Sequence, residues 1–199
     1  MTPIGSEIFI PNHSGDHSAG SVRETPTNTT DIANKAYVDT QIAGVVTGKL
    51  VQIAYGTTNI KGTTASVIGF DDTIPQITEG AQVISAEITP SNVNNMLLID
   101  VFIPFIDSKV PVEIICALFQ DSTANAIQAS IISNNHENYF VNFFFRHIMI
   151  AGTTSATTFS LRLGTNNALK AIDWLANTAH NRYMGGVATI SMVIQEIAV

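Results

Sequence analysis

Charge is scarce in this sequence. Only 13% of its 199 residues are Asp, Glu, Lys or Arg, about half the share of an ordinary soluble domain. Thr, Ser, Asn and Gln must therefore wet the surface, a composition common in extracellular β proteins. Basic residues are the scarcest: Lys and Arg number 9 against 16 Asp and Glu, a net charge of −7, and they form no cluster. That excludes nucleic-acid binding through neutralised phosphates. A lone cysteine, Cys116, excludes an intrachain disulfide. Set in the apolar run VEIICALF, it reads as a small buried hydrophobe. No apolar run reaches the roughly 18 residues of a membrane-spanning helix; the best candidate, YFVNFFFRHIMIA, is broken by Asn142, Arg146 and His147. A secretory leader is not expected, since the first basic residue is Arg23 and IFIP is too short for an h-region. Synthesis in a cytoplasm without classical export follows as an expectation. There is no G-x-S-x-G elbow to mark a nucleophile.

What is present falls into three parts. Residues 1–30 hold Pro3, Pro11, Pro26, Gly5, Gly15 and Gly20 and little that can enter a core. Such a segment is expected to be an extended arm, ordered by a partner. Residues 31–48 carry one short helical pattern. Thr30 or Asp31 supplies an N-cap oxygen, and Val38, Ile42 and Val45 fall at the 4–3 spacing of a coiled-coil seam. Under two heptads cannot hold helices together unaided. Residues 49–199 switch to period two. Candidate strands are 49–55, 82–89, 96–105, 111–119, 126–133, 139–150, 157–163 and 186–197, rich in Val, Ile, Thr and Phe and separated by Gly, Asn, Pro or Asp. About eight strands without an intervening helix predict an all-β, antiparallel, jelly-roll-like β-sandwich.

Two of these strands are apolar on both faces. Ile115, Ala117 and Phe119 back Val112, Ile114, Cys116 and Leu118; Phe140, Phe144, Ile148 and Ile150 back Tyr139, Val141, Phe143, Phe145 and Met149. A two-sheet sandwich buries one face of each sheet. The second face needs a cover, either another copy of the chain or a long loop, and self-association is the favoured expectation.

The run TPTNTTDIANKAYVDTQIAG, residues 25–44, resembles a segment that recurs in tail-fibre and other appendage proteins of tailed bacteriophages. There a TP-x-N-x-x-D-x-x-NK-x-YVD pattern precedes a trimeric fibre or tip domain. Thr25, Pro26, Asn28, Asp31, Asn34, Lys35, Tyr37, Val38 and Asp39 carry the match. The preceding IPNHSGDHSAG has the same character, and ALFQDSTANAI, GTTSATTFSLRLG and GGVATISMVIQEI are similar to β-rich virion domains. The resemblance implies a homotrimeric virion protein attached to other virion proteins by its N-terminal arm. It implies either tail-fibre-type binding of a host receptor, in the first instance a surface glycan, or decoration of the capsid as a head fibre or cement. No shaft-like stretch is seen, which favours a short tip or a capsid-bound knob. A polysaccharide depolymerase and a cellular trimeric lectin-like module stand as alternatives. No enzyme activity, cofactor or membrane association is expected.

Candidate chemistry is sparse. His13 and His17 flank Asp16 at a spacing that aims two imidazoles one way on a helix, but Ser14 and Gly15 disfavour a helix, and only a trimer would multiply the ligands. Asp71 and Asp72 are adjacent and read as a solvated turn rather than a glycosidase pair. The stretch 164–186 is the longest without a strand pattern, and long loops in compact domains are functional or disordered. Asn166, Asn167, Trp174, His180, Arg182 and Tyr183 within it are the candidate receptor-binding residues: aromatics stack on sugar rings, Asn and Arg supply hydrogen bonds. For Trp174 an inward, structural role is an equal reading.

Overall fold

The computed structural model describes residues 48–199 and, before them, Val38 alone, which is helical and exposed. The expectations for the 1–30 arm, for His13 and His17, and for Ile42 and Val45 of the candidate trimer helix fall outside the described residues.

Among the described residues, ten strands divide between two antiparallel sheets. They are β1 (Leu50–Thr58), β2 (Gly62–Thr64), β3 (Ala81–Ile88), β4 (Met96–Ser108), β5 (Val112–Gln120), β6 (Gln128–Asn134), β7 (Val141–Ile150), β8 (Thr157–Thr165), β9 (Ile172–Trp174) and β10 (Ile190–Ile197). Sheet I runs β1-β10-β4-β7. Sheet II runs β3-β8-β5-β6. With the two three-residue strands set aside, the eight long strands have the wiring of a jelly roll. The eight strands read from period-two patterning are all present. The two that were missed, β2 and β9, are too short to show a period.

β9 and β10 are one path with a break in it. β9 lies opposite Ile106–Ser108 of β4, and β10 lies opposite Met96–Phe102 of the same strand, both antiparallel. β2 extends β1 in the same way beside β9. Residues 175–189 leave the sheet at the break, between Trp174 and Ile190.

The core lies between the sheets. Ile99, Val101 and Ile103 of β4, Phe143 and Phe145 of β7, and Ile190, Met192 and Ile194 of β10 meet Ile114, Cys116 and Leu118 of β5 and Phe159, Leu161 and Leu163 of β8. At the open side of the sandwich Gly56 of β1 comes close to β3. A Cβ there would lie 2.2 Å from the Ser85 carbonyl oxygen, so only glycine allows this approach.

The second apolar face of β5 has its own cover. Ile115, Ala117 and Phe119 form a separate buried cluster with Ile68, and Ile77 and Ala126 pack against it. The cover is the β2–β3 connection, residues 65–80, folded over the outside of sheet II. Arg162 pins its end, donating from Nε to the Glu79 carbonyl at 2.6 Å and from Nη2 to that of Gly80 at 2.9 Å. For β5, then, the chain covers itself, against the expectation of a second copy. Asp71 sits in this connection, where its Oδ1 accepts from the N–H and hydroxyl of Thr73. It is a turn former beside Asp72, both exposed.

The two ends of the jelly roll differ. At one, called proximal here, the Gly48 N–H donates to Ala198 O at 2.7 Å and the Ala198 N–H to Lys49 O at 2.9 Å. The connections 89–95 and 151–156 lie at the same end, joined by the Ala151 N–H to Asn95 O. Fully buried Glu196 of β10 organises it. Burial alone would push its carboxyl up. Hydrogen bonds from Gln52 Nε2 (2.5 Å), Asn95 Nδ2 (2.6 Å), and the Ser91 hydroxyl (2.7 Å) and N–H (2.8 Å) outweigh that and hold it at about 2.

A carboxyl held below its ordinary value of 4.5 stabilises the fold fully above that value and loses its effect as pH falls toward 2. Glu196→Gln keeps the shape but replaces an acceptor oxygen by a donor facing Gln52. The variant is expected to melt several degrees below the wild type at neutral pH, with the gap closing as pH falls to about 2. Calorimetric scans from pH 7 to pH 2 check this, and a gap constant with pH would show that Glu196 carries no charge-dependent stability.

Candidate binding surface

The distal end gathers the connections 109–111, 135–140 and 166–171 and the excursion 175–189. The excursion begins as a small hairpin. Ala176 bridges to Arg182, the Asn177 N–H donates to Asn181 O at 3.0 Å, and the His180 N–H donates to Asn177 O at 2.7 Å. The Asn177 side chain fills the hairpin: its Oδ1 accepts from the N–H groups of Ala179 and Asn181, and its Nδ2 donates to the Tyr183 hydroxyl at 3.0 Å.

This backbone is strained. Leu175, His180 and Met184 hold φ of 55°, 59° and 56°, in a region unfavourable to L side chains, and Gly185 and Gly186 follow at 59° and 88°. Such conformations cost about 1–3 kcal/mol each and persist only where surrounding contacts impose them. The imposing contacts come from strands below. In register, Asp107 of β4 and Asp173 of β9 face each other across the sheet, and both are buried, at 1% and 3% exposure. Asp107 Oδ2 accepts from the Thr178 N–H at 3.0 Å, while its Oδ1 takes the Ser108 N–H at 2.8 Å. The Thr178 hydroxyl donates to Asn138 Oδ1 at 2.8 Å. His180 Nδ1–H donates to Asp173 Oδ1 at 2.6 Å. Lys61, from the β1–β2 connection, donates to the His180 carbonyl.

Besides a hollow of about 230 Å³ lined by Lys61, Thr63, Ala176 and His180, two concavities border the excursion. A polar one of about 290 Å³ is walled by Lys109, Lys170, Thr178 and His180, with Asp173 beneath. An apolar one of about 400 Å³ is formed by Pro104, Phe105, Phe140, Tyr183 and Met184. Its rings meet edge to face: Phe105 and Phe140 at 5.4 Å and 73°, Phe140 and Tyr183 at 5.5 Å and 87°. That geometry is attractive beyond the area buried and fixes the ring faces. An apolar wall beside a few fixed polar groups is the usual make-up of a small-ligand site.

The residues singled out in the sequence therefore separate. His180, Arg182 and Tyr183 are exposed on the excursion, and Tyr183 lines the aromatic cleft. Asn166 and Asn167 are exposed in the β8–β9 turn, where Asn167 Oδ1 accepts from the Leu169 N–H at 2.9 Å. Trp174 is not on the surface. It is 8% exposed, on β9, inside the main core cluster, and its indole lies over Gly62, where a Cβ would approach Trp174 Cζ2 to 2.0 Å. The stretch 164–186 is thus not one long loop but the end of β8, a turn, a strand and the excursion. Phe140, Asn177, Thr178, Asp107 and Asp173 were missed. Asp107 lies near the end of β4 and Asp173 at the centre of three-residue β9, and their pairing as buried carboxylates becomes visible only once the register is known.

Two consequences are open to measurement. Trp174→Ala empties a packed position and is expected to cost about 3–5 kcal/mol, read as a lowered denaturant midpoint. Asp107→Ala strands the buried Thr178 N–H and is expected to destabilise by about 1–3 kcal/mol. It should also speed amide exchange across 176–182 more than in β5 or β8. Uniform exchange changes in both regions would show that Asp107 does not tether the excursion specifically.

No protein-family model matches this chain, and no curated protein matches it. Among solved structures it is similar to the insecticidal delta-endotoxin Cry8Ea1 from Bacillus thuringiensis, at 10% identity and a TM-score of 0.32, over 72% of this chain and 19% of the toxin. It is also similar to a CBM4 structure, at 12% identity and a TM-score of 0.33, over 67% of this chain and 77% of the other. The chain thus spans about a fifth of the toxin's length.

Proposed function

We propose that this protein is a structural component of a bacteriophage virion, a homotrimeric appendage of tail-fibre type. Its residues 1–30 attach it to the particle and its jelly roll faces outward to bind a glycan on the host surface. The observation that carries this reading is the polarity of the jelly roll. The chain enters at the proximal end, where Gly48 is hydrogen-bonded to Ala198. The strained excursion and both concavities lie at the other end. A domain held from its N-terminal side presents that distal end to whatever the particle meets. The resemblance of residues 25–39 to phage appendage sequences is the support for placing it on a particle.

The distal surface suits recognition without catalysis. Tyr183 and Phe140 offer ring faces and edges to a sugar, and Lys109 and Lys170 offer donors. The facing carboxylates seen at this end among the described residues, Asp107 and Asp173, are engaged in holding Thr178 and His180. Those bonds make the pair a structural anchor rather than a general acid and base.

Four experiments bear on this reading. Labelled protein added to particles that lack it should bind at the tail; binding at the capsid would move the protein to the decoration or cement role. Deleting residues 1–30 should abolish attachment and leave the melting temperature unchanged. Tyr183→Ala should reduce host-cell binding at least tenfold with the fold intact. Incubation with host polysaccharide should release no new reducing ends, and their appearance would make the protein a depolymerase.

A further inference from the structure

Sheet I has one face in the core and one outside. In register across β1, β10, β4 and β7, the outer rows read Ile53–Gln195–Leu98–Ile148, Tyr55–Val193–Asp100–Arg146 and Thr57–Ser191–Phe102–Phe144. Ile53, Tyr55, Phe102, Phe144, Ile148 and Ile150 are all exposed, Tyr55 at 72% and Phe144 at 58%. Sheet II differs, because its central strand is covered by residues 65–80. We infer that the outer face of sheet I is where copies of this chain meet, each copy giving the face to its two neighbours around a threefold axis. The inference locates the contact within the homotrimer proposed above and rests on that reading.

Charge and area argue for a second copy as the occupant. The chain carries −7 overall, so most encounters between copies are repulsive. Within these rows the charged groups are Asp100 and Arg146, and they neutralise each other. Arg146 Nε donates to Asp100 Oδ1 at 2.7 Å and Nη2 to Oδ2 at 2.8 Å, and the guanidinium lies 5.6 Å from the Phe144 ring centre. A face with no net charge meets its own copy without like-charge repulsion. The six exposed apolar side chains present on the order of several hundred Å², most of the roughly 800 Å² per partner of a standard interface. Such a patch is of the size that marks an interaction surface.

The test is sedimentation equilibrium of the full chain beside the double variant Phe144→Asp, Ile148→Asp. Wild type is expected at the mass of three chains, and the variant at one, with unchanged far-ultraviolet circular dichroism. A folded variant that keeps the three-chain mass overturns this location and leaves the homotrimer standing. A wild type at single-chain mass removes the homotrimer itself. Since the double variant can fail to fold, Tyr55→Cys gives an independent readout. Cys116 is fully buried, so a maleimide reports on position 55 alone. Labelling at least tenfold slower in the three-chain species than after dilution to single chains supports the inference. Equal rates overturn it, as does a protected thiol in a single-chain species, which would make the chain's own first residues the cover.

Discussion

Two sheets enclose one core, yet the apolar side chains of this protein occupy more sheet surface than that core can hold. Much of the remaining structure follows from this excess. On sheet II the centre of the outer face is closed by residues 65–80, with Ile68 entering the cluster of Ile115, Ala117 and Phe119 and Arg162 fastening the loop's end. On sheet I the excursion 175–189 closes only the distal end, and among the described residues nothing of the same chain covers the rows below it. The scarcity of charge has the same root, since strands with two apolar faces leave few positions for Lys or Glu.

The two ends of the jelly roll solve the problem of buried polar groups differently. Proximally, one carboxylate, Glu196, collects donors from β1 and from the 89–95 connection, so a single acid closes three segments. Distally, two facing carboxylates hold down a separate piece of chain through Thr178 and His180. In both cases the acid is an acceptor for neighbouring donors rather than half of a surface ion pair, and its worth lies in desolvated hydrogen bonds. Glu196 has five donors converging on it, whereas Asp107 and Asp173 together have three. The proximal end is accordingly the more firmly tied.

Much of the fold was legible in the sequence, because jelly-roll strands are long enough to repeat. Met96–Ser108 and Val141–Ile150 each carry several turns of period two. β2 and β9 were not legible: three residues hold no period, and their pairing depends on partners more than a hundred positions away. Trp174 was placed in a loop for that reason, although its burial over Gly62 is as firm as that of any strand residue. The two faces of β5 were read correctly as apolar, but whether a loop or a neighbour covers them depends on where residues 65–80 travel, which local patterning does not encode. His180, Arg182 and Tyr183 could be picked out as chemically capable side chains. Their support from Asp107, Asn138 and Asp173 could not, since it joins positions brought together only by the sheet.

The broken strand has a consequence for change over time. Trp174 and Ser191 stand opposite Ile106 and Phe102 of β4, so the excursion leaves and rejoins one strand path within about four residues' length of sheet. Its two ends are held by ladders that do not depend on what lies between them. Changes confined to the exposed residues 181–185 therefore leave the register of β9 and β10 intact, whereas Leu175, Ala176 and Thr178 are buried and belong to the frame. The frame can conserve its strand register while those exposed residues vary.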